Sequence, residues 1–409
     1  MKRVVVTGMG GVTALGSSWA EIESRLRAGK NAVRYMPEWD YIGALNTRIA
    51  SPIDDFTVPA HFPRKMIRSM GRVSLLAVRA TELALEDAGL LNSEYIQDGR
   101  MGIAYGSSSG SVEPVKVFAA MLEKGDMQNV TSTSYIHMMP HTAAVNIGLF
   151  FGLKGRVIPT SSACTSGSQG IGYAYEAIKY GRQQLMLAGG AEEMSAPSSA
   201  VFDTLFATSS RNDTPELTPR PFDRERDGLV VGEGAASLVL EELEHAKMRG
   251  ATIYAEIVGF GCNSDGTHIT QPEMETMAVA MQQSLDDAAI PASEIGYVSA
   301  HGTATDRGDI AESHATDKLF GHQVPISSMK SFLGHTLGAC GAIEAWWGIE
   351  MLRRQWFAPT INLVQPDPAC AMLDYVVGEG RTLDIEFVMS NNFAFGGINT
   401  SLVFKKFTG

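Results

Sequence analysis

The sequence predicts an α/β protein built from two similar halves, and three observations carry that expectation. Short apolar runs alternate with stretches of helical periodicity, the pattern of buried strands covered by helices. Several of the strand-like runs end in glycine-containing polar turns. The second half repeats the style of the first: "IYAEIVGFG" (253–261) is similar to "RVVVTGMG" (3–10), which suggests a loose internal duplication.

The elements follow in order. "RVVVTG" (3–8) reads as a strand leading into a glycine turn, and "RVSLLAVRATELALEDAGL" (72–90) as a helix closed at Gly89. "MGIAYG" (101–106), "LMLAGGAEE" (185–193) and "AASLVLEE" (235–242) read as buried strands. Between them, "PTSSACTSGSQGIGYAYEAIKYG" (159–181) starts a helix just where Cys164 stands among very small residues. "EHAKMRGATIYAEIVGFG" (244–261) reads as the passage into the second half, dividing the chain into 1–250 and 251–409. There "IGYVSAHGT" (295–303) is a strand ending in a polar turn, and "FVMSNNFAFGGINTSLVFKKF" (387–407) is two strands around a glycine turn. "GMGGVTALG" (8–16) begins like a dinucleotide-binding loop, but Thr13 stands where the third glycine belongs, so a plain strand-to-loop turn is expected.

Composition narrows the function classes. The 409 residues suffice for a large core, and 44% hydrophobic with 19% charged residues is ordinary for a globular protein. A net charge of −12 argues against a nucleic-acid binder. Cys164, Cys262, Cys340 and Cys370 are scattered without metal-ligand spacing, which fits a reducing cytoplasm better than a disulfide framework. The N-terminal apolar run is too short for a signal peptide and no segment reaches membrane-spanning length, so a soluble cytoplasmic protein is expected.

The chemistry-bearing residues form a set. A helix start offers free N–H groups and a positive dipole end, both of which favour a Cys164 thiolate; the alternative is a buried structural thiol. His301 in "VSAHGTATDRGDIAE" and His335 in "ISSMKSFLGHTLGACGAIEA" each stand in a glycine-rich turn, the latter five residues after Lys330. The seven other histidines, His245 and His314 among them, read as surface residues.

With these residues the chain resembles the elongating β-ketoacyl-[acyl-carrier-protein] synthases of the thiolase-fold type. "SSACTSG", "RPFDRERDGLVVGEGAASLVLE", "AHGTATDRGD", "SMKSFLGHTLGACGA" and "NNFAFGGINTSLVF" carry the resemblance in order across nearly the whole chain. It implies a thiolase-like fold of two duplicated α/β halves in five layers, and a dimer. It implies that Cys164 holds the acyl chain as a thioester, with its own N–H and that of Phe395 as oxyanion hole. His301 and His335 would stabilise the enolate left when malonyl-carrier protein loses carbon dioxide, and Lys330, paired with Glu312, would support them. Thr303 and Thr305 would bind the pantetheine arm, and Phe395, Gly396 and Gly397 would form a gate. Ser108 and Phe202 would border the acyl pocket, and Lys65 and Arg68 would dock an acidic acyl carrier protein. No metal or redox cofactor is implied, since substrates ride on the carrier's phosphopantetheine; neither nucleic acid nor membrane is an expected partner.

Two rival readings share the fold. A degradative thiolase would need a second cysteine in the terminal motif, where Asn392 and Phe393 stand. A chain-length-factor subunit would lack the nucleophile that Cys164 supplies. The serines of "GSSSGSVEP" (106–114) replace the larger apolar residue common at the pocket wall, and Phe206 stands where a basic carrier contact is common. The serines suit a polyene or polyketide-like pathway, with ordinary fatty-acid elongation as the alternative. The pairing expected is a homodimer or a heterodimer with a chain-length-factor-like paralogue.

Overall fold

The computed structural model describes residues 1–409. Ten strands make up the framework. They are β1 (Val4–Thr13), β2 (Met101–Gly106), β3 (Val157–Thr160), β4 (Leu185–Glu192) and β5 (Gly234–Glu242) in the first half, then β6 (Ala255–Ser264), β7 (Ile295–Ser299), β8 (Pro325–Ser327), β9 (Phe387–Ala394) and β10 (Ile398–Lys406) in the second. The first five lie in the order β3-β2-β4-β5-β1, the second five in the order β8-β7-β9-β10-β6. In each half three neighbouring strands run parallel, and the fourth is antiparallel to both its neighbours. Each strand therefore has its counterpart five places on, and the loose sequence duplication is a repeat of topology. The halves join where Val4–Val6 of β1 pair with Ala255–Ile257 of β6. The two-residue strand Asp374–Tyr375 extends the far edge beside β8.

The helices repeat in the same way. In the first half, α1 (Arg72–Asp87) and α2 (Thr142–Phe151) cover one face and α3 (Ser166–Lys179) the other. In the second half, α4 (Met274–Ala288) and α5 (Asp306–Phe320) cover the outside, and α6 (Cys340–Arg354) lies against α3. The result is the expected five layers, with α3 and α6 sandwiched between the two halves of the sheet. Every residue of α6 from Cys340 to Leu352 is buried, as an interior helix requires. None of the helices is long and apolar enough to cross a membrane.

Two expectations change here. β1 continues through the glycines at 8, 10 and 11, so no turn follows residue 8. A Cβ at Gly8 would lie 2.4 Å from the Ala84 carbonyl oxygen, and one at Gly10 2.6 Å from the Ala84 nitrogen. These glycines let α1 settle directly on the strand. His245 is buried, not a surface residue: its ring meets the Glu241 carboxylate, which also takes both Arg249 and the Thr7 hydroxyl.

Close approach also sets the central layer. A Cβ at Gly341 would come within 2.7 Å of the Ser168 backbone nitrogen in α3 and of Asn392 Oδ1 in β9. Backbone cannot yield as a flexible side chain does. Gly341→Ala should therefore force α3 and α6 apart and cost about 1–3 kcal/mol of stability, as overpacking of a filled core does. Denaturant unfolding measures this, with a lowered midpoint expected at an unchanged slope.

Candidate active site

Small hydroxyl residues build the turn that presents Cys164. After β3 the chain passes through Ala163 at φ +49°, in the left-handed region that non-glycine residues occupy at a cost, and enters α3 through a single 3₁₀ turn. Ser166 Oγ donates to the Ala163 carbonyl at 2.7 Å and accepts from the Ser162 N–H at 3.0 Å. Thr165 Oγ1 donates to the Ser162 carbonyl at 2.7 Å, and Thr160 Oγ1 to the Ser166 carbonyl at 2.8 Å. The serines and threonines around Cys164 thus hold a strained turn whose only exits are into β3 and α3. The second half repeats the device: Leu337, at φ +48°, opens a 3₁₀ turn that leads into α6.

The repeat brings the two histidines to the thiol. His335 Nε2 lies 3.0 Å from Cys164 Sγ, and ring nitrogens of both histidines and the sulfur all fall within 4.8 Å of one another. The two rings stand edge to face, their centroids 5.2 Å apart. Glu312 accepts from the His301 N–H at 2.7 Å and the Gly302 N–H at 2.6 Å, so it fixes the turn that carries His301.

Lys330 does not pair with Glu312 as expected. Its ammonium donates to Glu344 Oε1 at 2.6 Å and to His301 Nδ1 at 3.2 Å, and Asn392 Nδ2 donates to Glu344 Oε2 at 2.7 Å. Burial opposes the Lys330 charge, but its acidic surroundings, with Glu344 in direct contact, outweigh it and hold the ammonium above the ordinary lysine range.

These contacts decide the tautomers. An ammonium only donates, so His301 Nδ1 must accept and its proton sits on Nε2. The Leu337 N–H donates to His335 Nδ1 at 3.3 Å, which likewise places the proton on Nε2, facing the sulfur. Burial, then the charge of Lys330, holds both imidazoles well below their usual pKa, so both are neutral donors. Cysteine and two histidines at these distances would also suit a metal ion by donor type. A metal would need the Nε2 lone pairs, and the Nδ1 contacts put protons there instead; the set is arranged to donate, not to ligate.

The thiol departs from expectation. Burial pushes Cys164 up to about 11, although Lys330 and the Phe395 and Cys164 N–H groups all favour its thiolate. Those two amides lie close to the sulfur.

A cavity of about 550 Å³ leads to Cys164. His301, His335, Thr303, Thr305, Phe202 and Phe395 line it, and the Thr303 and Thr305 hydroxyls lie 2.9 Å apart. Phe395 stacks on Phe202 at 5.1 Å and is followed by Gly396 and Gly397 at φ +86° and +71°. A cavity with a thiol, two neutral N–H donors and a glycine pair at its rim fits acyl transfer through a thioester.

The chain belongs to the β-ketoacyl synthase family. Its residues 1–246 match the model of the "Beta-ketoacyl synthase, N-terminal domain", and residues 254–364 that of the "Beta-ketoacyl synthase, C-terminal domain". It is 39% identical over 413 residues to the 3-oxoacyl-[acyl-carrier-protein] synthase 2 of Vibrio harveyi, with 99% of each chain covered. Among solved structures, a beta-ketoacyl synthase from Burkholderia phymatum STM815 superposes with a TM-score of 0.99 at 69% identity, covering 100% of both chains. The ishigamide ketosynthase/chain length factor superposes at 0.91 with 30% identity, again over 100% of both.

Some of the expected residues stand outside the lining of this cavity. None of Ser107, Ser108 and Ser109 lines the cavity. Ser107 Oγ and the Ser108 N–H instead donate to the buried Glu192 carboxylate at 2.9 and 2.7 Å, which also takes the Gly338 N–H at 3.0 Å. A buried carboxylate needs such donors, and that accounts for the serines. Lys65 and Arg68 are exposed and stand outside the cavity lining. The sequence reading missed Glu344, whose signal was a lone carboxylate in the apolar run "GACGAIEAWW". It also missed Arg226, which lines the cavity and bonds Asp367 at 2.5 Å, and Asp309, which accepts from the Thr303 N–H at 3.0 Å.

Two outcomes follow from the geometry. Cys164→Ala removes the acyl acceptor but leaves both imidazole donors, so chain condensation should vanish while carbon dioxide release from malonyl-carrier protein persists. Lys330→Met removes the charge that, after burial, depresses both histidines. Their pKa values rise, so the acid limb of the decarboxylation profile should move up towards pH 6.5, the ordinary histidine value. A pH series on both proteins, with circular dichroism to establish folding, checks this.

Proposed function

We propose that this protein is a 3-oxoacyl-[acyl-carrier-protein] synthase that extends an acyl chain by two carbons. Cys164 takes the acyl group from one carrier, and its proton leaves with the released carrier thiol. Malonyl-carrier protein then enters the same cavity, its pantetheine arm held by Thr303 and Thr305. Loss of carbon dioxide leaves two electrons on the malonyl residue as an enolate. The Nε2–H groups of His301 and His335 hold the enolate oxygen, and its carbon attacks the acyl carbonyl. The Cys164 and Phe395 amides hold the resulting oxyanion; as it collapses the carbon–sulfur bond breaks, and Cys164 leaves as a thiolate that takes up one proton from solvent. Phe395 acts as the gate on the Gly396–Gly397 hinge, with Phe202 at the acyl pocket and Lys330, Glu344 and Glu312 as positioning groups. No metal or redox cofactor takes part.

The observation that carries this reading is the tautomer lock, which turns two histidines beside a thiol into paired neutral donors. The 3-oxoacyl-[acyl-carrier-protein] synthase name of the Vibrio harveyi relative supports the carrier-borne substrates. Pairing of two chains through the edge strand β3 is supported by its exposed Val157 and by Leu149, exposed on α2 beside it. A second copy forms a homodimer; a chain-length-factor-like paralogue forms the heterodimer that the ishigamide neighbour's name describes. Fatty-acid elongation is the first pathway reading and polyene or polyketide elongation the second.

Reconstitution tests the proposal. With malonyl-carrier protein and an acyl-carrier primer, mass spectrometry should show the primer on Cys164 and then a 3-oxoacyl product two carbons longer. His301→Ala and His335→Ala should each lower decarboxylation by about 10²–10³, the loss expected for a transition-state donor, while still accepting the acyl group. A protein that is never acylated, or a histidine variant slowed only a few-fold, would contradict the assignment.

A further inference from the structure

We propose that Glu192, in the first half, is a positioning residue for His335 in the second: its carboxylate holds the turn whose Leu337 amide sets which His335 nitrogen carries the proton. The inference rests on the preceding reading of His335 as a donor to the enolate. Glu192 ends β4 and is fully buried. Its Oε2 accepts from the Ser108 N–H at 2.7 Å and the Gly338 N–H at 3.0 Å, and its Oε1 from Ser107 Oγ at 2.9 Å. A buried carboxylate is costly, and these partners are N–H and O–H donors, with no lysine or arginine among them. One side chain thus ties together the end of β4, the serine turn after β2 and the 3₁₀ turn Leu337–Ala339 that opens α6.

The 3₁₀ turn needs such a tie. Leu337 stands at φ +48°, which a leucine keeps only where its surroundings enforce it. Gly338, the next residue, is wedged in place. A Cβ there would lie 2.7 Å from both Glu192 Oε2 and the Ser108 nitrogen, and one at Gly190 would lie 2.3 Å from the Gly338 carbonyl oxygen. Other contacts place the backbone of His335: its N–H donates to the Val230 carbonyl at 2.7 Å, and its carbonyl accepts from the Gly232 N–H at 2.9 Å. Those bonds leave the ring free to turn and to hold its proton on either nitrogen. The Leu337 N–H, 3.3 Å from Nδ1, settles both.

A competing bond makes this lock necessary. Burial keeps the Cys164 thiol protonated, and its sulfur lies 3.0 Å from His335 Nε2. A thiol can donate to a bare Nε2 as well as accept from Nε2–H. In the first arrangement the ring proton sits on Nδ1, and no N–H is left to face the enolate. The Leu337 amide excludes that arrangement by occupying the Nδ1 lone pair, and Glu192, through Gly338, keeps the amide there. Ser107 and Ser108 enter the same chemistry as donors that hold the carboxylate in place.

Nitrogen-15 NMR of histidine-labelled protein, with separate assays of Cys164 acylation and of carbon dioxide release from malonyl-carrier protein, tests this. Glu192→Ala should put a measurable share of His335 into the Nδ1–H form. It should lower carbon dioxide release about tenfold, less than loss of the whole ring costs, and leave acylation within about twofold. Glu192→Gln keeps an oxygen for the Ser108 and Gly338 amides and turns its NH₂ to Ser107 Oγ, so it should retain the Nε2–H ring and most of the activity. Circular dichroism establishes folding. Should the alanine variant not fold, Glu192→Asp, whose shorter side chain draws the carboxylate back from Gly338, takes its place with the same expectation. The proposal is overturned if His335 keeps its Nε2 proton undisturbed in the alanine or aspartate variant, which would make packing of Leu337 sufficient. It is also overturned if acylation and carbon dioxide release fall together, or if glutamine behaves like alanine, which would make the charge and not the placement the contribution. An unaltered protein that releases no carbon dioxide overturns the functional reading instead, and the NMR result still decides whether Glu192 sets the tautomer.

Discussion

A buried ammonium governs this structure. The Lys330 side chain is only 2% exposed, and an unpaired charge at that depth would cost several kcal/mol. Glu344 answers it at 2.6 Å, and Asn392 steadies Glu344 from β9. This draws together α6, β9 and the turn that carries His301, elements from three stretches of the second half. The same ammonium then acts on the chemistry twice. It occupies His301 Nδ1, which fixes the proton on Nε2, and its charge adds to burial in keeping both histidines neutral. Removing one partner of such a pair strands the other, so the network persists as a unit.

The duplication explains why the site lies where it does. Each half ends its parallel strands in a strained turn, Ala163 in one and Leu337 in the other, and sends a helix back between the sheets. In the first half the turn presents the nucleophile. In the second it presents an amide that donates to His335. The two helices meet where Gly341 and Ser168 leave no room for a side chain. Cys340 at the start of α6 donates its thiol hydrogen to the Cys164 carbonyl at 3.2 Å, so the second half also steadies the nucleophile's backbone. Stability and chemistry share these contacts, which leaves little freedom to alter one without the other.

Much of this was legible in the sequence because spacing reports geometry where the chain is local. Apolar runs located the principal strands, and the small residues around Cys164 marked a tight helix entry. His301 and His335 were readable because each stands in a glycine turn after a strand. What escaped was set by contacts between distant segments. Lys330 is 14 positions from Glu344 and 18 from Glu312, and only the fold shows which of them it reaches. That the three serines after β2 meet a buried acid was not legible, because Glu192 lies 84 positions from Ser108. The Cys164 thiol was expected to ionise readily at a helix start; full burial outweighs that effect. His245 looked like a surface residue because its helix is short and polar, and its burial comes from packing against β5.

The central claim is that contacts at Nδ1 make His301 and His335 neutral Nε2–H donors. Nitrogen-15 NMR of histidine-labelled protein tests it most directly, with His301→Gln and His335→Gln variants assigning the two rings. The account predicts that at neutral pH, and still at pH values somewhat below the ordinary histidine pKa, each ring shows a protonated Nε2 and a bare, hydrogen-bonded Nδ1. A proton on Nδ1 of either ring, or an imidazolium at neutral pH, would contradict it.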